Sequence, residues 1–479
     1  MRPHILFRYS GIILLFNSGF LLLSSAVSLY YNDTALLPLL YSSLIAGLLG
    51  IFPILFVPPA TDISNNEGFT IVVANWLVSC LIGILPYVLW GGPFTLTDAW
   101  FESVSGFTTT GSTILEDIES LPGGLLFWRA TTHWIGGIGI IVFTLSVIPS
   151  IGRAGMVLYR SEMSSLAAES FRYRTKKTLQ IIVMTYVSLT LAETVALCFC
   201  GLTLFDAVTH AFATIATGGF STKNLSVAAF QNPAAEAVIL LFMLLSGLHF
   251  GLLFAALKGQ PRELWRSPVA RYYLSAMVIG VALVTSVVHG TVFPGWGESL
   301  RHGAFQLISL GTSTGFATAD SANWPGFAQL IMIFFTLQCA CAGSTSGGIK
   351  TDRILIFWKG ILKRVKLTRH PHAVITTKIG GTTIEDDVLE SVLLYIGLYL
   401  AIVFLSTLLL SAMGVDVLSA FSGSAAAMGN VGPGFGTVSS LGNFAGMPQA
   451  GKWVLSFAML MGRLEIFGVI LFVSAWSKR

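Results

Sequence analysis

Apolar and polar positions divide the chain into long apolar stretches separated by polar segments. A helix needs about 20 apolar residues to cross a bilayer. Stretches of about this length occur at residues 10–30, 36–58, 68–91, 124–150, 178–201, 233–257, 269–291, 326–343, 388–413 and 450–476. The pattern therefore predicts an all-α polytopic membrane protein with about ten transmembrane helices.

Four of the polar segments are far longer than a connection between neighbouring membrane helices requires: 92–123, 202–232, 292–325 and 414–449. Each begins near an acidic residue, continues through a short helix-compatible run and reaches a glycine in a stretch rich in Thr, Ser and Gly. The acid and the glycine are Asp98 and Gly111, Asp206 and Gly219, Glu298 and Gly315, and Asp416 and Gly432. We interpret this as an internal repeat of helix, short helix, polar turn and helix.

The repeat occurs four times, which predicts pseudo-fourfold symmetry about a central pore. The repeats are assigned to residues 63–160, 161–262, 263–370 and 371–479, and residues 1–62 form two extra N-terminal helices. The acid at the start of each short helix is expected to cap it and to oppose the positive end of its dipole.

The polar turns are suited to an aqueous path at membrane depth. Irregular backbone cannot face lipid, because its N–H and C=O groups would remain unpaired, but it can line a water-filled pathway. The C-terminal end of each short helix carries about half a negative charge, which favours a cation between the four ends. Rings of backbone carbonyls can then replace the hydration shell of that cation, and glycine permits the backbone angles that turn carbonyls to one side.

Composition and charge support the membrane assignment and give an orientation. The chain has 479 residues, of which 54% are hydrophobic and 10% charged, against about 25% charged in soluble proteins. Of the 27 Lys and Arg residues, only Lys223, Arg301 and Lys452 fall on the side opposite the N-terminus, while Arg129 and Arg463 lie within apolar stretches. Since cytoplasmic loops collect Lys and Arg, both termini are expected in the cytoplasm. The opposite side is acidic, which either concentrates cations at a pore mouth or reflects simple depletion of Lys and Arg.

The motifs SVSGFTTTGST, ATGGFSTKN, TSTGFATADSANWP and MGNVGPGFG, followed by CAGSTSGGIKTDRI and MGRLEIFGVI, carry a resemblance over the whole chain. The sequence resembles the Trk/Ktr/HKT superfamily of potassium transporters, closest to the TrkH/TrkG-type membrane subunit. The resemblance implies that carbonyls around one glycine per repeat coordinate K⁺. The residues concerned are Thr109, Thr110, Gly111, Thr217, Gly218, Gly219, Ser313, Thr314, Gly315, Asn430, Val431 and Gly432. The fourth repeat departs from the first, with Asn430 and Pro433 where the first has Thr and Ser, so its register against the others is open.

The segment GSTSGGIK interrupts the eighth apolar stretch. It is either the helix end before a basic loop or, as the resemblance implies, a flexible gating loop beneath the filter. The loop residues are Gly343, Ser344, Thr345, Ser346, Gly347 and Gly348. Arg463, inside the last apolar stretch, either pairs with a polar group of another helix or, as the resemblance implies, projects into the pore as an electrostatic barrier. The spacing of GGIKT does not fit a nucleotide-binding P-loop.

The resemblance further implies the setting in which the chain works. It implies potassium uptake across the bacterial inner membrane with K⁺ as the transported ion, no organic cofactor, a homodimer, and regulation by a cytosolic nucleotide-binding TrkA-type ring. The basic segment 350–378 resembles a docking surface for such a partner.

Two other classes of function compete with a cation pore. A secondary transporter for another cation or an organic solute predicts inverted repeats and acids at the membrane centre. Here the repeats run parallel, and central acids are few (Glu193 and Glu465). An enzyme is not expected, because no Ser/His/Asp set and no HExxH motif occurs. We interpret His133 as a packed histidine between helices, with a proton relay as the alternative.

Overall fold

The fold is almost entirely helical, as the apolar pattern predicts. The computed structural model describes residues 2–58, 65–147, 171–380 and 382–477. Its helices are α1 (Pro3–Tyr31), α2 (Leu36–Phe56), α3 (Asn65–Gly83), α4 (Leu85–Trp90), α5 (Leu96–Phe107), α6 (Gly123–Val147), α7 (Phe171–Phe199), α8 (Leu204–Ile215), α9 (Pro233–Ser246), α10 (Phe250–Leu257), α11 (Arg262–Arg266), α12 (Pro268–Val288), α13 (Trp296–Gly311), α14 (Gly326–Leu337), α15 (Thr351–Arg369), α16 (Asp386–Ala412), α17 (Val417–Gly429), α18 (Gln449–Arg463) and α19 (Ile466–Ser477). An antiparallel hairpin of β1 (Thr377–Ile379) and β2 (Thr382–Ile384), which the sequence did not predict, follows α15. The all-α class is confirmed.

Six helical spans of the described chain are long and apolar enough to cross a membrane. They are Pro3–Tyr31, Leu36–Phe56, Thr70–Trp90, Leu179–Phe199, Pro268–Val288 and Asp386–Ala412. Helix α6 covers most of the stretch predicted at 124–150, whose last three residues lie outside the described part of the chain.

The remaining three apolar stretches are not single straight helices, and the sequence indicated an interruption only in the eighth. Helices α9 and α10 meet at 110°, and α18 and α19 meet at 108°. Helix α14 has 12 residues, which gives it a length of about 18 Å, short of the roughly 30 Å hydrocarbon core. Hydropathy could not predict these breaks, since the sequence stays apolar through two of them.

The breaks bond to one another, which explains how irregular backbone is tolerated at this depth. The Cys341 amide donates to the Gly247 carbonyl at 3.0 Å, and the Phe250 amide donates to the Gly343 carbonyl at 3.2 Å. The break between α9 and α10 is thus paired with the segment that follows α14. Backbone groups that lack helical partners must find others inside the protein, because lipid offers none.

Three apolar clusters hold the repeats together. Buried side chains of α7 to α14 form one cluster, which joins the second and third predicted repeats. Those of α1 to α6, with α16 to α18, form another, which joins the first and fourth. A third lies between α15, α16 and α19. The helices therefore close into a circle of repeats, with α1 and α2 packed outside the first.

Several predictions fall on parts of the chain that the structure does not describe. The repeat boundaries at 62/63 and 160/161 lie there, as do Arg153, Arg160, Lys478 and Arg479 of the basic side. The domain boundaries therefore stay a prediction.

Candidate functional site

Four short helices, α5, α8, α13 and α17, precede the four predicted polar turns. Thr95 and Thr203 cap α5 and α8 by accepting the amides of Asp98 and Asp206, at 3.2 and 3.1 Å. Only in α17 does the predicted acid, Asp416, itself act as the N-cap. The expectation that every acid caps its helix is therefore wrong. In the other three helices the acid lies in the first turn, where it still opposes the positive end of the helix dipole.

The turn after each short helix has the same backbone in all four repeats. Its first residue is left-handed although it is not glycine: Thr109, Thr217, Ser313 and Asn430 have φ of 52°, 54°, 57° and 52°. Two positions later stands a glycine with φ of 83°, 83°, 83° and 95°, at Gly111, Gly219, Gly315 and Gly432. We call these three-residue segments the glycine turns. A non-glycine residue held at positive φ costs of order 1–3 kcal/mol and points to function.

One hydrogen bond recurs in every glycine turn and fixes its middle residue. The amides of Thr110, Gly218, Thr314 and Val431 donate to the short-helix carbonyls of Ser105, Ala213, Ser309 and Ala426, at 2.9, 2.8, 2.8 and 2.9 Å. This settles the register left open by the sequence. Asn430 corresponds to Thr109, and Val431 corresponds to Thr110.

The four glycine turns meet in a closed ring. A Cβ on any of the four glycines would collide with the middle carbonyl oxygen of the next turn, and the fourth turn returns to the first. An added Cβ would lie 2.0 Å from the Gly218 oxygen at Gly111, 2.1 Å from the Thr314 oxygen at Gly219, 2.3 Å from the Val431 oxygen at Gly315 and 2.5 Å from the Thr110 oxygen at Gly432. No side chain fits at these positions, whatever its chemistry.

All four glycines also line one cavity of about 60 Å³ next to the ring, which Arg129 and Lys223 line as well. The other lining residues, such as Ser112, Phe220 and Pro433, follow the glycines in sequence. A polar opening therefore lies above the ring, on the side of the segments that follow the glycine turns.

A buried ion pair supports the ring from behind and was not predicted. Glu102 of α5 and Arg129 of α6 lie 2.8 Å apart, with 0% and 1% of their side chains exposed. Glu102 accepts the amide of Ile114 at 3.1 Å, and Arg129 donates to the Ser221 carbonyl at 3.3 Å. This ion pair thus fixes the segments that follow the first and second glycine turns. The signal in the sequence is a carboxylate, Glu102, in the middle of a short helix that must be buried.

His133 joins the same two repeats. Its Nε2 accepts the amide of Phe220 at 3.2 Å, and its Nδ1 lies 2.8 Å from the carbonyl oxygen of Gly106. A backbone amide can only donate, so Nε2 carries no proton and Nδ1 donates to the carbonyl. Both ring nitrogens are occupied by backbone, an arrangement that favours the packing interpretation over a proton relay.

The Gly-rich loop, residues 343–348, lies against the ring on the side opposite the polar cavity. Thr345 donates to the carbonyl of Ile215, the last residue of α8, at 2.9 Å. The Gly347 amide donates to the Ser313 hydroxyl at 3.2 Å, and a Cβ on Gly347 would lie 2.6 Å from the Gly429 oxygen at the end of α17. The loop therefore touches the second, third and fourth repeats just below their glycine turns.

Arg463, the last residue of α18 in the fourth predicted repeat, lies beside the loop on the side of the first repeat. It is 1% exposed and donates to the Thr345 carbonyl at 2.6 Å and to the Gly136 carbonyl of α6 at 3.1 Å. Both of these acceptors are backbone carbonyls. Because a carbonyl carries no net charge, neither of them neutralises the guanidinium. Glu465, expected on another face of the same helix, lies in the break between α18 and α19, where its own φ is 58°, and it pairs with Arg353 at 2.6 Å.

Comparison with known proteins identifies the chain that builds this ring. The family model described as "TrkH: Cation transport protein" matches residues 53–478. The chain belongs to the TrkH family. It is 38% identical to the Trk system potassium uptake protein TrkH of Salmonella typhimurium, over 97% of this chain and 96% of the relative. It is 35% identical to the TrkG protein of Escherichia coli K12, over 87% and 86%.

A solved TrkH structure has the same fold. The crystal structure of the potassium transporter TrkH from Vibrio parahaemolyticus superposes with a TM-score of 0.90 and 33% sequence identity, covering 98% of both chains. The resemblance drawn from the motifs is thereby confirmed. Since TrkH proteins are cation transporters, the expectation that the chain is not an enzyme is confirmed as well.

Proposed function

We propose that this TrkH-family chain takes up K⁺ across the bacterial inner membrane through the ring of glycine turns, which acts as its selectivity filter. The observation that carries the proposal is the closed order of the ring, in which each glycine lies against the middle carbonyl of the next turn. The TrkH and TrkG relatives are named potassium uptake proteins, which supports K⁺ as the ion.

The ring offers a cation uncharged oxygen ligands. The carbonyls of Thr110, Gly218, Thr314 and Val431 belong to one layer, since they occupy the same turn position. The residues before them, Thr109, Thr217, Ser313 and Asn430, form the layer below, at the C-terminal ends of the short helices. Carbonyl oxygens replace the hydration shell of K⁺, and the negative ends of four helix dipoles stabilise the ion there.

The Gly-rich loop and Arg463 form the gate in this proposal. The loop lies directly under the ring, and the guanidinium is bonded to it through Thr345. A cation leaving the filter meets both a backbone obstruction and a positive charge. Flux therefore requires that the loop release Ser313 and Ile215 and that Arg463 leave the path.

In this proposal the surface that binds a regulatory partner lies on the cytoplasmic side. The Lys and Arg distribution predicts cytoplasmic termini, and on that side α15 presents exposed Arg364, Lys366 and Arg369, followed by the hairpin of β1 and β2. We assign this basic surface to docking of a cytosolic TrkA-type nucleotide-binding ring, on a homodimer of this chain.

The test is potassium uptake in a bacterial strain that lacks its own K⁺ transporters. The chain should restore growth at low K⁺, and Gly315→Ser should abolish it, because the new Cβ would lie 2.3 Å from the Val431 oxygen. Gly326→Ser is the matched control, since a Cβ there meets nothing within 4 Å. Absence of rescue, or rescue that survives Gly315→Ser at equal expression, would refute the proposal and leave a secondary transporter of another solute.

A further inference from the structure

An apolar cavity of about 330 Å³ lies between α1, α3 and α6, near the middle of each helix. Apolar residues such as Ile13, Phe16 and Ile135 form most of its wall. Its volume falls in the range of about 300–1,000 Å³ typical of small-molecule sites. Apolar cavities of this kind stay dry, so whatever fills this one must come from an apolar phase.

The entrance to the cavity faces the lipid. Ile12 and Phe16 of α1, which line it, are 47% and 43% exposed, and α1 is long and apolar enough to span the membrane. Exposed apolar side chains at mid-span contact the hydrocarbon core. Phospholipid acyl chains are the apolar groups present there in excess, so we assign an acyl chain as the occupant of the cavity.

The inner wall of the cavity is the same structure that holds Arg463. Gly136 lines the cavity, and its carbonyl accepts from Arg463 at 3.1 Å. Trp76, also in the wall, has its ring centroid 5.9 Å from the guanidinium carbon of Arg463. Phe107, the last residue of α5, forms a third part of the wall. The cavity therefore reaches both the gate arginine and the first glycine turn.

We propose that a lipid acyl chain enters this cavity from the bilayer and stabilises the closed position of Arg463. An occupied cavity fixes Trp76 and the Gly136 segment of α6, which are the wall against which the guanidinium rests. An empty cavity leaves that wall free to yield when Arg463 moves out of the path. The effect on flux rests on the proposed role of Arg463 as a barrier, whereas binding of the chain does not.

Binding is tested by photolabelling the intact protein in vesicles of phosphatidylethanolamine and phosphatidylglycerol doped with a phospholipid that carries a diazirine in its acyl chain. Mass spectrometry should find label on inward-facing cavity residues such as Asn75 and Ile135. Ile13→Trp, which fills the cavity, should remove that label. Leu22→Trp, on the exposed face of α1, should not. Label confined to outward-facing residues, or unchanged by Ile13→Trp, would overturn the proposal.

The effect on the gate is tested by K⁺ flux in the same vesicles. Ile13→Trp should lower flux by about fivefold or more, the lower end of typical couplings between sites, and Leu22→Trp should leave it unchanged. In an Arg463→Ala background, Ile13→Trp should have no further effect. Labelling without this flux change would refute the coupling and leave the site and the filter standing. Flux that is indifferent to Arg463→Ala alone would refute the gate, whatever the labelling shows.

Discussion

The hydroxyl of Ser346 in the Gly-rich loop lies 2.9 Å from the hydroxyl of Ser313, the left-handed residue of the third glycine turn. This contact joins the proposed gate directly to the proposed filter. The loop therefore cannot move away without breaking a hydrogen bond to the third glycine turn.

Ser346→Ala should raise K⁺ flux, because it removes this bond from the closed arrangement. A neutral hydrogen bond contributes about 0.5–1.5 kcal/mol, so the increase should be between about twofold and tenfold. Flux into vesicles at equal protein content measures it. Ser286→Ala, at an exposed serine of α12, is the control. Equal flux in both variants would contradict a role of the Ser346–Ser313 hydrogen bond in holding the loop closed.

Arg463→Ala should raise K⁺ flux more strongly. Two unit charges 4 Å apart interact by about 4 kcal/mol near a protein surface, and a reduction of the barrier by only about a third of that energy increases flux by roughly tenfold. Arg463→Lys keeps the charge but cannot reproduce both bonds to Thr345 and Gly136, and an intermediate flux is expected. Arg266→Ala, with a side chain 74% exposed, is the matched control. If Arg463→Lys had the same K⁺ flux as Arg463→Ala, the hydrogen bonds of Arg463, rather than its charge, would be what closes the path.

Glu102→Ala should destabilise the protein severely. Removing one partner of a buried ion pair costs about 3–5 kcal/mol, because it leaves the other charge, Arg129, unpaired. Thermal unfolding in detergent measures the loss. The exposed pair Lys223–Glu119 lies nearby, with side chains 35% and 45% exposed, so Glu119→Ala should cost at most about 1 kcal/mol. Similar losses for the two substitutions would mean that the buried pair does not support the ring.

The pair of Asp98 and Lys452, 2.7 Å apart, should make the stability of the fold depend on pH. Burial alone would raise the pKa of the Asp98 carboxyl, but hydrogen bonds from Lys452 and Thr95 hold this pKa below 3.8. A depressed folded-state pKa stabilises the fold above the unfolded value of about 3.9 and loses that effect as pH falls through the folded one.

Asp98→Asn should therefore lower the unfolding temperature at pH 7 and make progressively less difference below about pH 4. Asp320→Asn is the control, because the Asp320 carboxylate accepts the amide of Ala322 within its own loop, at 3.0 Å. A difference between wild type and Asp98→Asn that stays the same at both pH values would show that the charge of Asp98 is not what stabilises this contact.

The glycine turns could be predicted from the sequence because their polar residues interrupt the apolar pattern of the membrane stretches. A run such as Thr108 to Ser112 between apolar stretches has no place in lipid unless it lines a path, and four copies in matching places indicate one structure. Sequence spacing could not show that the copies meet. That depends on contacts such as Gly432 against Thr110, which are more than 300 residues apart.

The bend between α9 and α10 and the partner of Glu102 were beyond prediction for a different reason. The sequence from α9 to α10 is one apolar run, and the bend within it is matched by the segment after α14, which supplies partners to the freed backbone. Likewise, nothing adjacent to Glu102 indicates Arg129, since α6 brings it there from 27 residues away. Tertiary contacts decide both features, and local propensity does not record them.

The shared register of the four glycine turns also determines how substitutions can alter the proposed filter. Because one chain supplies four different sequences to equivalent positions, a substitution enters the ring once. In an assembly of four identical subunits every substitution enters four times. Asn430 and Val431, which stand where the first turn has Thr109 and Thr110, already show one quarter diverging while its backbone stays the same. In the proposed filter, ion preference can thus change through one turn at a time, while the other three turns preserve the geometry.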